Sequence, residues 1–355
     1  MRFVAILPFV LAPFVLAGPT VLLAQQERHS LEGDDVAIYN LAGEVSVEAG
    51  QGSVGVLLTR GGGGAGQLRV EQGEIDGREA LRVIYPSDRI IYPPLGHGSS
   101  TQLTVREDGT FGDEHGRHEH FRGRHVSIMD RGDGLDAHAD LRISVPSGRK
   151  VAVYLAVGKV TVSNVNGRIS IDASDAPVTA TGTHGELRID VGSGDVRVSQ
   201  IEGDLSVDTG SGSVEVSRYR GTTLSVDTGS GEVTGTELEA ANLSVDTGSG
   251  DIRLTGVTAP EVSLETGSGS VNADLRREIR SLSVETGSGN IAITAPATLS
   301  ASVQIETSSG EIESDFPLTV TRRASDHVEG RIGDGKGTIA IETGSGGVRL
   351  LKSPQ

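Results

Sequence analysis

Nine acidic residues recur at nearly fixed intervals along the second half of this sequence. They are Asp172, Asp190, Asp208, Asp227, Asp246, Glu265, Glu285, Glu306 and Glu342, spaced by 18, 18, 19, 19, 19, 20, 21 and 36 residues. From Asp208 onward each stands directly before Thr-Gly-Ser-Gly or Thr-Ser-Ser-Gly. A carboxylate at that place has three uses. It can accept backbone N–H bonds from the turn. It can hold a divalent cation between successive copies, since calcium takes about six to eight oxygens and each turn offers a carboxylate, hydroxyls and carbonyls. It can contact a ligand. Stacked at ~4.8 Å, neighbouring carboxylates repel by roughly 1 kcal/mol per pair in water, so something should offset them. The nonapeptide of calcium-binding β-rolls is absent.

A second set is histidine. His115, His118 and His120, with His125 nearby, can converge on zinc or copper if the segment folds around the ion. Gly116 argues against a helix there, and a solvated loop is the plain alternative. A third set is Ser206, Ser225, Ser244, Ser263 and Ser283, one per repeat. A nucleophile needs a single activated serine with a placed base. Equivalent serines with no matching histidines read as surface hydroxyls, with Arg188, Arg197 and Arg253 interspersed.

The element that must position these residues is itself repeated. In Leu243-Ser244-Val245-Asp246-Thr247 the period is two, so Leu243, Val245 and Thr247 share one face. After Gly248-Ser249-Gly250, Ile252 and Leu254 share a face and Arg253 takes the other. Two short strands per ~19 residues cannot form a domain alone, but stacked copies can pair with the copies above and below. The expected fold is all-β: a parallel, single-stranded β-solenoid, right-handed by the rule for parallel crossovers. It spans residues 139–351 in repeats of about 18–21 residues. The 36-residue interval before Glu342 reads as two repeats, one without its acidic marker.

Composition agrees. Glycine is 50 of 355 residues, aromatics are 3%, and cysteine is absent, which excludes a disulfide scaffold, a thiolate metal site, a cysteine nucleophile and a lipidated N-terminal Cys. The net charge of −17 argues against a nucleic-acid or anionic-membrane partner. Residues 1–24 read as a signal peptide, with Arg2, an apolar run from Phe3 to Ala17 and Leu22-Leu23-Ala24 as the cleavage site. The mature chain has no other apolar run of membrane-spanning length, which points to the periplasm, the cell surface or the medium. Residues 31–95 read as first coils or an N-terminal β cap, and 96–138 as a His-rich polar insertion.

The signal segment, the opening Val36-Ala37-Ile38-Tyr39-Asn40-Leu41-Ala42-Gly43, the serial D/E-T-G-S-G turns and the closing Gly330-Arg331-Ile332-Gly333-Asp334-Gly335 together resemble an exported, adhesin-like β-strand repeat family of unknown function, the DUF4097 type. That resemblance implies a β-solenoid in a surface or envelope setting. It supplies no catalytic residues. The expected function is non-catalytic: adhesion or scaffolding through a repetitive Ser/Thr/Asp/Glu face toward a polysaccharide or surface protein. No cofactor is expected beyond calcium at the acids or zinc at the histidines. The alternatives are a carbohydrate-active enzyme on a β-helix and an envelope protein that binds metal through the His-rich segment.

Overall fold

The computed structural model describes residues 26–112, 123–324 and 326–354. The leader and His115, His118 and His120 lie outside the described residues. Each repeat is one rung of two strands around a glycine corner. In a representative rung the strands are Asn242–Thr247 and Ile252–Thr258. Leu243, Val245 and Thr247 are buried and Asn242, Ser244 and Asp246 exposed, as the period of two requires.

Successive rungs pair in parallel, residue for residue. Asp246 lies opposite Asp227 on one side and Glu265 on the other. Ile252 lies opposite Val233 and Val271. Two parallel sheets therefore run the length of the stack, one built from strands before the corner and one from strands after it. Their inner faces fill with columns of Val, Ile and Leu. The corner needs glycine for closeness of approach: a Cβ on Gly231 would stand 1.7 Å from the carbonyl oxygen of Gly212 in the next rung.

The first rung is Asp35–Gly50 and the second Lys150–Ser163, paired along almost their whole length. The chain between them, with Gln26–Leu31 ahead of the first rung, covers the open end. On one sheet Arg78–Ile84 pairs parallel with the first rung, with Arg69–Ile75 antiparallel outside it. On the other, His138–Pro146 pairs parallel, followed outward by Val54–Gly61 and Gln26–Leu31, both antiparallel. A bare parallel edge would template association, and these strands remove it.

Two expectations are corrected. The polar insertion contributes to a folded sheet: Ser100–Arg106 pairs antiparallel with Gly123–Met129, which pairs parallel with Arg89–Ile91, and Leu135–Asp136 pairs parallel with the other edge of Arg89–Ile91. Alternation is legible in His125-Val126-Ser127-Ile128, which lies in the strand Gly123–Met129, but goes unread in Ser100–Arg106; Val105, Val126 and Ile128 are buried. The 36-residue interval holds no silent repeat. Leu318–Arg323 and His327–Ile332 form an antiparallel hairpin, and the second of these covers the edge of Ala301–Thr307. The chain then turns back. Gly337–Thr343 inserts between Ser281–Thr286 and Ala301–Thr307, and Val348–Lys352 between Ile291–Ala295 and Ile312–Ser314. The last rung in sequence is thus the penultimate rung in space.

Candidate binding surfaces

The outer face of the first sheet carries mostly Ser, Asp and Glu side chains. Parallel register converts the sequence repeat into straight columns. One runs Ser206, Ser225, Ser244, Ser263, Ser283. Beside it the acids run Asp172, Asp190, Asp208, Asp227, Asp246, Glu265, Glu285, Glu342, Glu306, with the last two reversed relative to the chain. Asp208, Asp227, Asp246, Glu265, Glu285 and Glu342 are exposed. Partial burial, and then the neighbouring Asp227 carboxylate, raise the Asp246 carboxyl above its usual range.

From Asp227 onward the threonine that follows each acid caps the turn, and the acid does not. The Thr209 hydroxyl after Asp208 is buried without a partner among the described residues. Thr247 is fully buried; its hydroxyl donates to the Gly231 carbonyl of the neighbouring rung at 3.0 Å and accepts the Gly250 amide at 3.1 Å. Thr266, Thr286, Thr343 and Thr307 repeat both bonds. Parity decides this: the acid points outward, away from the corner, whereas the threonine points into it.

The column has two different ends. Its first two places hold Tyr39 and Tyr154, whose rings stack at 4.4 Å and bury under the edge of Phe111. At the other end Glu306 meets His327 Nδ1 at 3.1 Å across the capping hairpin.

A second surface lies on the other sheet. Its strands bend at one residue per rung, where the backbone is left-handed: Asn164 (φ 54°), Gly182 (67°), Gln200 (56°), Arg218 (52°), Glu237 (56°) and Gly256 (74°). The aligned bends make a groove of about 750 Å³ along the stack axis. Its lining includes His184, Glu202, Arg220 and Glu239, paired along the stack by a His184–Glu202 contact at 3.4 Å and an Arg220–Glu239 pair at 3.0 Å. The lining also includes Gln200, Arg218 and Glu237, all exposed. Among the described residues these three side chains form no hydrogen bond or ion pair. Glycine reaches this backbone freely, whereas another residue costs about 1–2 kcal/mol.

The family model described as Toastrack DUF4097 matches residues 141–351 of this chain. The chain belongs to the Toastrack DUF4097 family. Among solved structures, a "putative adhesin" from Parabacteroides merdae is 12% identical at a TM-score of 0.34, covering 93% of this chain and 97% of its own. A "putative cell adhesion protein" from Clostridium sporogenes is 10% identical at a TM-score of 0.18, covering 93% and 100%. No curated protein matches.

In this Toastrack chain the candidate residues separate. The acid and serine columns come together on one face, and Arg188 falls within the serine column. Arg197 and Arg253 sit on the other sheet, so the face carries fewer cations than expected. Arg197 bonds Asp195 at 3.1 Å, and Arg253 bonds Asp251 at 2.6 Å and Glu232. His125 is exposed on its strand, its Nδ1 3.3 Å from the Thr104 hydroxyl, while its three proposed partners lie outside the described residues. Among the described residues no three His, Asp or Glu side chains stand close enough to hold a metal ion, and no helix is long and apolar enough to cross a membrane. The groove went unread in the sequence, although a signal exists. Apolar spacing jumps from two to three at each bend, as in Val214, Val216 and Tyr219 or Ile252, Leu254 and Val257.

Proposed function

We propose that this chain is an exported, non-catalytic envelope protein that adheres or scaffolds through the Ser/Thr/Asp/Glu face of its solenoid, toward a surface polysaccharide or protein. The observation that carries this reading is the register of that face, in which the same hydroxyl and carboxylate recur at every rung from Asp208 to Glu285. Repetition suits a repetitive partner: each rung adds one weak contact, and many together give avidity. Catalysis instead concentrates unlike groups at one place, with a base held against a nucleophile. The serine column has an acid beside every hydroxyl and the same environment at each level.

The test is retention of residues 25–355 on immobilised polysaccharides, cell-wall material and surface protein extracts, with the mass of each glycan measured afterwards. Saturable retention with unchanged glycan supports the reading. Neutralising any single acid should leave retention almost intact, because the remaining rungs compensate. A cleaved glycan, or loss of function at one acid alone, overturns it.

A further inference from the structure

We propose that the groove on the second sheet is a separate binding site for an extended, uncharged glycan strand lying along the stack axis, held by Gln200, Arg218 and Glu237. It shares with the adhesive reading only the choice of a surface polymer, and it uses a different surface.

Six rungs in succession bend through a left-handed residue, and glycine fills that place at Gly182 and Gly256. Between them three long polar side chains occupy the same conformation, which is the unfavourable choice for the fold alone. Nothing within the described protein repays it: Gln200, Arg218 and Glu237 are exposed and make no hydrogen bond or ion pair there. They line a groove whose other charged residues are already paired, His184 with Glu202, Arg220 with Glu239 and Arg276 with Asp274. The free hydrogen-bonding capacity of the groove is therefore concentrated on these three residues, one per rung, at intervals of ~4.8 Å.

Their chemistry selects the ligand. An amide, a guanidinium and a carboxylate each present two polar atoms in a plane, which suits paired hydroxyls or an acetamido group. Arg218, Arg220 and Arg276 balance Glu202, Glu237 and Glu239 among the lining residues, in a chain of net charge −17. A polyanion meets repulsion from the whole protein and a polycation meets the acid column first. The ionic rim excludes an apolar chain. A neutral, hydroxyl-rich strand is opposed by none of these.

The experiment carries its own control for folding. Glycine relaxes the left-handed backbone, so the triple variant Gln200→Gly, Arg218→Gly, Glu237→Gly should melt at or above the parent temperature. Binding is measured by calorimetry with linear hexaoses of β-linked glucose and of N-acetylglucosamine, on the parent, this variant, and a face variant with Asp208, Asp227 and Asp246 changed to Asn. The expected result is at least a tenfold loss of affinity in the groove variant and none in the face variant. Equal binding by parent and groove variant overturns the groove site. Loss in the face variant alone also overturns it, while leaving the adhesive face standing. No binding of either hexaose by the parent, or capture of an extended peptide in place of glycan, overturns it as well.

Discussion

Glu285 sits in register beside Glu342, although Glu306 is its next counterpart in the chain. Glu342 in turn separates it from Glu306. The solenoid thus ends by folding back into itself. The hairpin 318–332 covers the edge of the outermost first-sheet strand, and the final segment supplies the rung beneath it.

That order is testable because the protein has no cysteine. Ser283 and Ala340 are exposed register partners, and Gln304 lies one rung farther. Adjacent rungs place Cα atoms ~4.8 Å apart, within disulfide range, and two rungs double the distance beyond it. The pair Ser283→Cys, Ala340→Cys should cross-link under mild oxidant. The pair Ser283→Cys, Gln304→Cys should not. Mass spectrometry of the digests decides, and the opposite outcome would restore a sequential stack.

The threonine column should carry more stability than the acids beside it. Thr247→Val keeps shape and burial but removes the bonds to the Gly231 carbonyl and the Gly250 amide. Losing both should cost about 1–3 kcal/mol in urea unfolding. Thr247→Ser, which keeps the hydroxyl, should cost less than half of that. Asp246→Asn at neutral pH should not destabilise at all. A valine variant as stable as the parent would mean that the corner is held by its backbone ladder alone.

The corner glycines set a stricter limit. A methyl on Gly231 would overlap the Gly212 carbonyl oxygen, so two rungs would have to part locally. Gly231→Ala should cost about 3 kcal/mol or more, at the upper end for an overpacked site. A circular-dichroism melt of the variant checks it, and a midpoint within a degree of the parent would contradict the packing described.

Much of this architecture was legible because alternation and period are both properties of the chain. Leu243, Val245 and Thr247 share a face by parity alone, and the ~19-residue interval forces stacking. The order of the last rungs was not legible for a physical reason. Val303-Gln304-Ile305-Glu306-Thr307 and Ile339-Ala340-Ile341-Glu342-Thr343 present the same inward faces, so either could stack on Leu282-Ser283-Val284-Glu285-Thr286. What selects between them is the hairpin, whose antiparallel pairing with 301–306 is a tertiary contact. The role of the threonines was hidden differently. Their inward parity was plain, but a buried hydroxyl needs a partner, and that partner belongs to another rung. The groove residues Gln200, Arg218 and Glu237 have nothing in common chemically, and only their shared backbone conformation groups them.

Electrostatics of the acid column give the last prediction. Burial and the Asp227 charge raise the folded-state carboxyl of Asp246 above its value in the unfolded chain, ~3.9. Between that value and the raised one, the native state binds more proton than the unfolded state, so this group makes stability fall as pH rises through the window. Above the window the penalty is constant, and below ~3.9 both states are protonated and it is gone. Asp227→Asn removes the neighbour's share. Asp227 has two carboxylate neighbours, Asp208 and Asp246, so the variant should be more stable than the parent at pH 7 in low salt by no more than ~2 kcal/mol, ~1 for each pair of charges near contact in water. Solvent screening on this exposed face reduces it further. The advantage should shrink on acidification through the window and with added salt, as the Debye length drops from ~10 Å at 0.1 M to ~3 Å at 1 M. Urea unfolding at pH 7 and pH 4, each at two salt concentrations, measures all four values. A variant less stable than the parent at low salt would mean that bound cations already neutralise the column. EDTA should then lower the parent's stability to match, and this face would be a cation ladder.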